Sequence, residues 1–176
     1  MHLFYWLRRF CTDFATLPRQ PKLRQRRWLQ LPRQQIEMLE SRVCLSTVSW
    51  DGGGDGIHWS DPLNWSTNVL PAAADDVTIN FGANTIQHES GTDTINSLTS
   101  SSKFTLSGGT LSVKGSSSIN NVFQLSGGEL TGVGTLTVSG LTTWSAGNMT
   151  GTGHTIAQGG LTITGANDKH LDQRTL

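Results

Sequence analysis

The residues best placed to do chemistry are three carboxylates in one glycine-rich stretch, Asp51, Asp55 and Asp61, with His58 between them. Oxygen ligands clustered on a pliable loop are what a calcium ion takes. The spacing matches neither the EF-hand loop nor the Gly-Gly-x-Gly-x-Asp series, and it occurs once, with no tandem copy to share ligands. Two readings stand: a calcium site at Asp51, Asp55 and Asp61, or a glycine turn lying beneath tryptophans. Zinc at His58 would need more His or Cys, and no second histidine is near it in sequence. No other cofactor is expected.

Catalysis would need groups that converge. Glycoside hydrolysis uses two carboxylates at a defined separation across a cleft. The acid best placed for this in the repeats is Glu129, and the matching positions of neighbouring copies hold Thr110 and Asn148. No G-x-S-x-G, Walker loop or H-E-x-x-H is present. We therefore expect no catalytic residue and no enzyme, with Glu129 a solvated corner residue. Trp50, Trp59 and Trp65 could stack on sugars, as could Trp144, but core or cap packing is the expectation for all four.

The elements that must carry these residues come from a repeat. Phe104-Thr-Leu-Ser-Gly-Gly-Thr-Leu-Ser-Val113 returns as Phe123-Gln-Leu-Ser-Gly-Gly-Glu-Leu-Thr-Gly132 and as Thr142-Thr-Trp-Ser-Ala-Gly-Asn-Met-Thr-Gly151, a step of 19 residues. Leu106, Leu125, Trp144 and Ile163 share one column, and Leu111, Leu130 and Met149 share another. Each copy is too small to bury its own apolar face, so copies must stack. Phe-x-Leu is a short strand and Ser-Gly-Gly a corner, after which a second strand starts on a new face. The fold expected is all-β: a right-handed parallel β-helix or β-solenoid of about four to five ~19-residue coils.

Three segments organise the chain. Residues 1–46 carry nine Lys or Arg against three Asp or Glu, whereas residues 47–176 carry four against ten. The first is a basic, largely disordered leader with a short amphipathic helix over about 33–43, following Pro32. Its arginines lie among prolines with no reading helix, so nucleic-acid binding is not expected. Cys11 and Cys44 are the only cysteines, so stability must come from stacking. No apolar run approaches the ~18 residues of a membrane span. Residues 47–82 form a Trp-rich cap with the first strands, and 83–176 form the coils, beginning irregularly before Phe104.

Two places in the coils break the pattern. Ile119 and Val138 align, but Ile156 comes one place early, with Ala157 in the column, so a bulge is expected there. Counting by the repeat also puts Asp168 in the column of Leu111, Leu130 and Met149. The chain then stops without an evident polar cap. This reads as a longer protein's first part or a truncated frame, with self-association through an uncapped C-terminal edge.

Two stretches carry a family resemblance. Gln35-Ile-Glu-Met-Leu-Glu-Ser-Arg-Val-Cys-Leu-Ser46 resembles the LEPR-XLL segment of exported planctomycete proteins, departing at Ser41 and Cys44. Trp50-Asp-Gly-Gly-Gly-Asp-Gly-Ile-His-Trp-Ser-Asp-Pro-Leu-Asn-Trp65, followed by Pro71 and Asp76-Val-Thr-Ile79, is similar to the opening of bacterial surface proteins with autotransporter-associated β-strand repeats. The resemblance implies an exported, cell-surface, adhesin-like scaffold whose partner would be a surface glycan or another cell-surface component. The alternative is a carbohydrate-binding or carbohydrate-processing β-helix whose active part lies in downstream coils.

Overall fold

The computed structural model describes residues Ser46–Leu176. They lie in one compact unit, Ser41–Leu176. The expected leader, its helix at 33–43, the LEPR-XLL-like segment up to residue 45, and Cys11 and Cys44 lie outside the described residues.

Alternation sets the strands. In Lys103–Leu106 the side chains of Phe104 and Leu106 are buried while Lys103 is exposed, the period of two that a half-buried strand requires. Strand β1 (Ser46–Ser49) precedes the coils. Coil one is β2 (Asp75–Ile79), β3 (Thr85–His88) and β4 (Thr92–Ile95). Coil two is β5 (Ser97–Ser100), β6 (Lys103–Leu106) and β7 (Thr110–Val113). Coil three is β8 (Ser117–Ile119) with the bent strand β9 (Phe123–Thr131), and coil four is β10 (Thr135–Val138) with the bent strand β11 (Thr142–Met149). Coil five is β12 (His154–Ala157), β13 (Leu161–Ile163) and β14 (Lys169–Leu171).

Like strands stack in parallel. A 6-stranded sheet runs β1-β2-β5-β8-β10-β12, and an 8-stranded sheet forks because β9 and β11 turn a corner and serve two faces. The chain is an all-β solenoid of about five coils. Phe104 faces Phe123, Phe123 faces Thr142, and Thr142 faces Leu161, each a step of 19. Earlier coils are less regular, as expected: Ile86 faces Phe104, a step of 18, and Val77 faces Leu98, a step of 21.

The corners decide how closely coils approach. Gly109, Gly128 and Gly147 have φ of 68°, 67° and 86°. A Cβ on Gly128 would lie 2.6 Å from the Gly109 carbonyl oxygen, and one on Gly147 would lie 2.5 Å from that of Gly128. Backbone rests on backbone at this column, in a conformation that costs other residues about 1–2 kcal/mol. Between corners the columns fill the interior. Ile86, Phe104 and Phe123 form one, and Leu106, Leu125 and Trp144 another, all at most 3% exposed. The Phe104 and Phe123 rings stack at 6.3 Å.

Two expectations are corrected. No bulge forms at Ile156: Leu136, Thr137 and Val138 pair in unbroken register with Thr155, Ile156 and Ala157. The ladder keeps its period, so Ile156 turns outward and is 46% exposed. The irregularity falls instead in β11, between Trp144 and Asn148, where its corner meets that of β9. Asp168 does not enter the core column either. The turn after β13 is longer, and Leu171 pairs with Met149.

In the fifth coil a charged side chain packs against the coils before it. Arg174 is buried, and its Nε donates to Thr155 Oγ1 at 2.8 Å while its Nη2 donates to the His154 carbonyl at 3.0 Å. Longer contacts reach the Gly132, Gly134 and Thr150 carbonyls. Thr175 pairs with His154 along the edge of β12. No such cover lies over β13, where Leu161 and Ile163 are 38% and 58% exposed, or over Leu171 of β14.

The corner column makes a sharp prediction. Gly82 also has a positive φ, 65°, but an added Cβ there meets nothing within 4 Å. Gly82→Ala should therefore lose only the conformational term, about 1–2 kcal/mol. Gly128→Ala should lose clearly more, read as a larger drop in urea midpoint.

Candidate functional site

The region richest in polar chemistry is the cap, where the chain between β1 and β2 folds over the first coil. Trp50 bridges Trp65, and its N–H donates to the Thr78 carbonyl at 2.8 Å. Trp65 meets Trp50 edge-on at 4.8 Å and Trp59 at 4.6 Å, and Trp59 in turn meets Phe104 at 5.9 Å. Trp50, Trp59 and Trp65 are at most 5% exposed, so they continue the core rather than present a sugar platform. Trp144 is likewise inward, with its Nε1 donating to the Gly147 carbonyl at 3.1 Å.

The acidic loop is folded around Asn64, a fully buried residue that sequence reasoning missed. Its Oδ1 accepts from the N–H groups of Gly54 at 3.1 Å and Gly56 at 2.8 Å. Its Nδ2 donates to Asp55 Oδ1 and to the His58 carbonyl, both at 2.9 Å. All four hydrogen-bonding positions of the amide are used. The sequence signal was the Asp61-Pro-Leu-Asn64 run: a side-chain cap, a proline at the first helical position, and a turn that delivers the fourth residue inward.

Each predicted ligand serves the same loop. Asp51 Oδ1 accepts from the Gly53 N–H at 3.0 Å. Asp61 caps the 3-10 turn through the Leu63 N–H at 3.0 Å, and its other oxygen accepts from the Asp55 N–H at 3.1 Å. Asp55 Oδ1 accepts from the N–H groups of Ile57 at 2.8 Å and His58 at 2.9 Å, while Oδ2 meets His58 Nδ1 at 2.5 Å. Among the described residues no group of three or more His, Cys, Asp or Glu is placed to hold a metal ion. The geometry supports the turn beneath the tryptophans.

Electrostatics binds Asp55 to His58. The hydrogen bond from His58 holds the Asp55 carboxyl well below the usual carboxylate range, helped by the His58 N–H, Asn64 and Ile57. The same bond raises His58 above its ordinary 6.5, and Glu89 and Asp61 add to the effect. Both side chains are exposed, so the pair orients the loop more than it stabilises the fold.

Two further polar residues sit inside or between coils. His88 is fully buried in the column of Leu106, with Nδ1 3.0 Å from the Gly108 carbonyl and Nε2 2.9 Å from Asp93 Oδ2. Its position in an apolar column was a signal in the sequence. Glu129 faces Thr110 on one side and Asn148 on the other, and its Oε1 accepts from Thr150 Oγ1 at 2.5 Å. It ties one coil to the next.

Two outcomes follow from the loop. A chelator should leave the melting temperature unchanged, because Asp51 Oδ1 and both oxygens of Asp55 and Asp61 accept from within the loop; a rise with added calcium would favour the calcium reading. The pH dependence has a defined sign. Asp55, held low, contributes above the ordinary carboxylate value of 3.8 and is lost as pH falls through its folded value. His58, held high, contributes fully below 6.5 and is lost as pH rises through its folded value. Melting midpoints should fall slightly on the alkaline side, and His58→Gln should flatten that limb. No protein-family model, no characterised protein and no solved structure matches this chain, so its cap and coils are read from their own geometry.

Proposed function

We propose that this chain is a non-catalytic scaffold of an exported, cell-surface protein, a short adhesin-like stalk that presents its coil faces to partners. The observation that carries this reading is the regularity of the outward columns. Gln87, Thr105, Gln124, Thr143 and Thr162 stand in register on one face, and Thr78, Thr99, Ser118 and Thr137 on another. These are short, neutral hydrogen-bonding side chains at a spacing of ~4.8 Å, over a stack of ~20 Å. Such a surface favours extended partners over a single small substrate. The resemblance of residues 35–46 and 50–79 to exported surface proteins supports the location.

The scaffold also self-associates in this proposal, through β13 and β14. Leu161, Ile163 and Leu171 continue columns that are buried one coil earlier, yet they are 38–58% exposed. No helix of the described residues is long and apolar enough to cross a membrane.

Labelling intact source cells with an antibody against residues 47–176 tests the location. Signal on unpermeabilised cells is the expected result; signal only after permeabilisation would overturn it. In sedimentation velocity, Ile163→Lys with Leu171→Lys should abolish concentration-dependent association.

A further inference from the structure

Beside the acidic loop lies a groove of about 500 Å³, within the ~300–1,000 Å³ of ordinary small-ligand sites. One wall is the Phe81 ring. It lies against the loop at Gly52 and Gly56, where an added Cβ would come within 2.4 Å and 3.4 Å of its carbons. The loop's glycines thus seat an aromatic ring at the rim of the core, where it is partly exposed. The groove is also lined by Ile57, 42% exposed, and by Asn84, Thr85 and Gln87 at and before β3.

The walls are fixed to each other. The Trp59 N–H donates to the Gln87 carbonyl at 2.8 Å, and the Gln87 N–H donates to the Ile57 carbonyl at 2.9 Å. A groove held this way costs little ordering on binding. Its polar groups are of one kind. The side chains of Asn84, Thr85 and Gln87 have no hydrogen-bond partner among the described residues and line the groove. They offer neutral amide and hydroxyl donors and acceptors. The one carboxylate present, Asp55, is already occupied by four donors, including His58, so it does not select a cation.

An aromatic ring facing neutral amides and hydroxyls suits a ligand with an apolar C–H face edged by hydroxyl groups. We propose that this groove binds a neutral saccharide, holding a pyranose ring against Phe81 and its hydroxyls against Asn84, Thr85 and Gln87. The site differs from the tryptophans, which are buried, and it meets the coil face of the scaffold reading only at Gln87, the first residue of that column. It stands whether or not the protein is on a cell surface.

Saturation-transfer NMR on the full chain tests it, with cellohexaose, chitohexaose, mannohexaose and xylohexaose as probes. The expected result is transfer to the ring protons of at least one of them. Asn84→Ala with Gln87→Ala removes only outward side chains and should keep the melting temperature. It should weaken that binding about tenfold or more, as the loss of two neutral hydrogen bonds implies. No transfer to any of the four, or equal affinity in the double variant, would overturn the proposal.

Discussion

The structure depends on the contact of one coil's backbone with the next at the glycine corners. Parallel ladders set the distance between coils, but only along the strands. At the bends the chain must reverse direction without moving away from its neighbour. Gly109, Gly128 and Gly147 achieve this by having no Cβ to place against the carbonyl below. With the corners in contact, the strands on either side fall into register, the shift at the β9–β11 corner aside, and the apolar columns close. A side chain there would lift one coil from the next and open both the ladder and the core.

A stack of this kind must also manage its ends, where columns lack a neighbour. At the first coil the solution is aromatic. Three tryptophans continue the columns in place of another coil, and Asn64, Asp55 and Asp61 hold the intervening loop by satisfying its backbone donors. The loop carboxylates take part in this closure through the backbone donors they accept from. In the fifth coil Arg174 gathers carbonyls from neighbouring coils, at a position where burial lowers its proton affinity. The guanidinium covers one face and leaves β13 and β14 open.

Most of the coil geometry was legible in the sequence, because a 19-residue period places the same side-chain type at the same corner each time. Trp144 could be put inside the stack from its column alone, and the cap tryptophans from the need to close the first coil. What was not legible depends on distances that periodicity does not carry. Ile156 looked like a slip, but ladder hydrogen bonds outweighed the burial of one side chain and kept the register. Leu171 reached its column only because the preceding turn lengthened, and no count along the chain shows how long a turn will be. Asn64 and His88 lie in the same category. Each is polar and fully buried because nearby loop groups turn back to meet it, Gly54 and Gly56 at Asn64 and Asp93 at His88, and the path of those turns is not carried by the repeat period.

The central claim is the register of the coils, and cysteine pairing tests it most directly. Thr105 and Gln124 face one another on adjacent coils, and Thr143 lies in the same column one coil further. Adjacent strands at ~4.8 Å bring paired Cα atoms within disulfide reach, whereas two coils at roughly 10 Å exceed it. With Cys11 and Cys44 changed to serine, Thr105→Cys with Gln124→Cys should oxidise to an intramolecular disulfide, and Thr105→Cys with Thr143→Cys should not. Bridging of the second pair, or failure of the first, would contradict the solenoid described here.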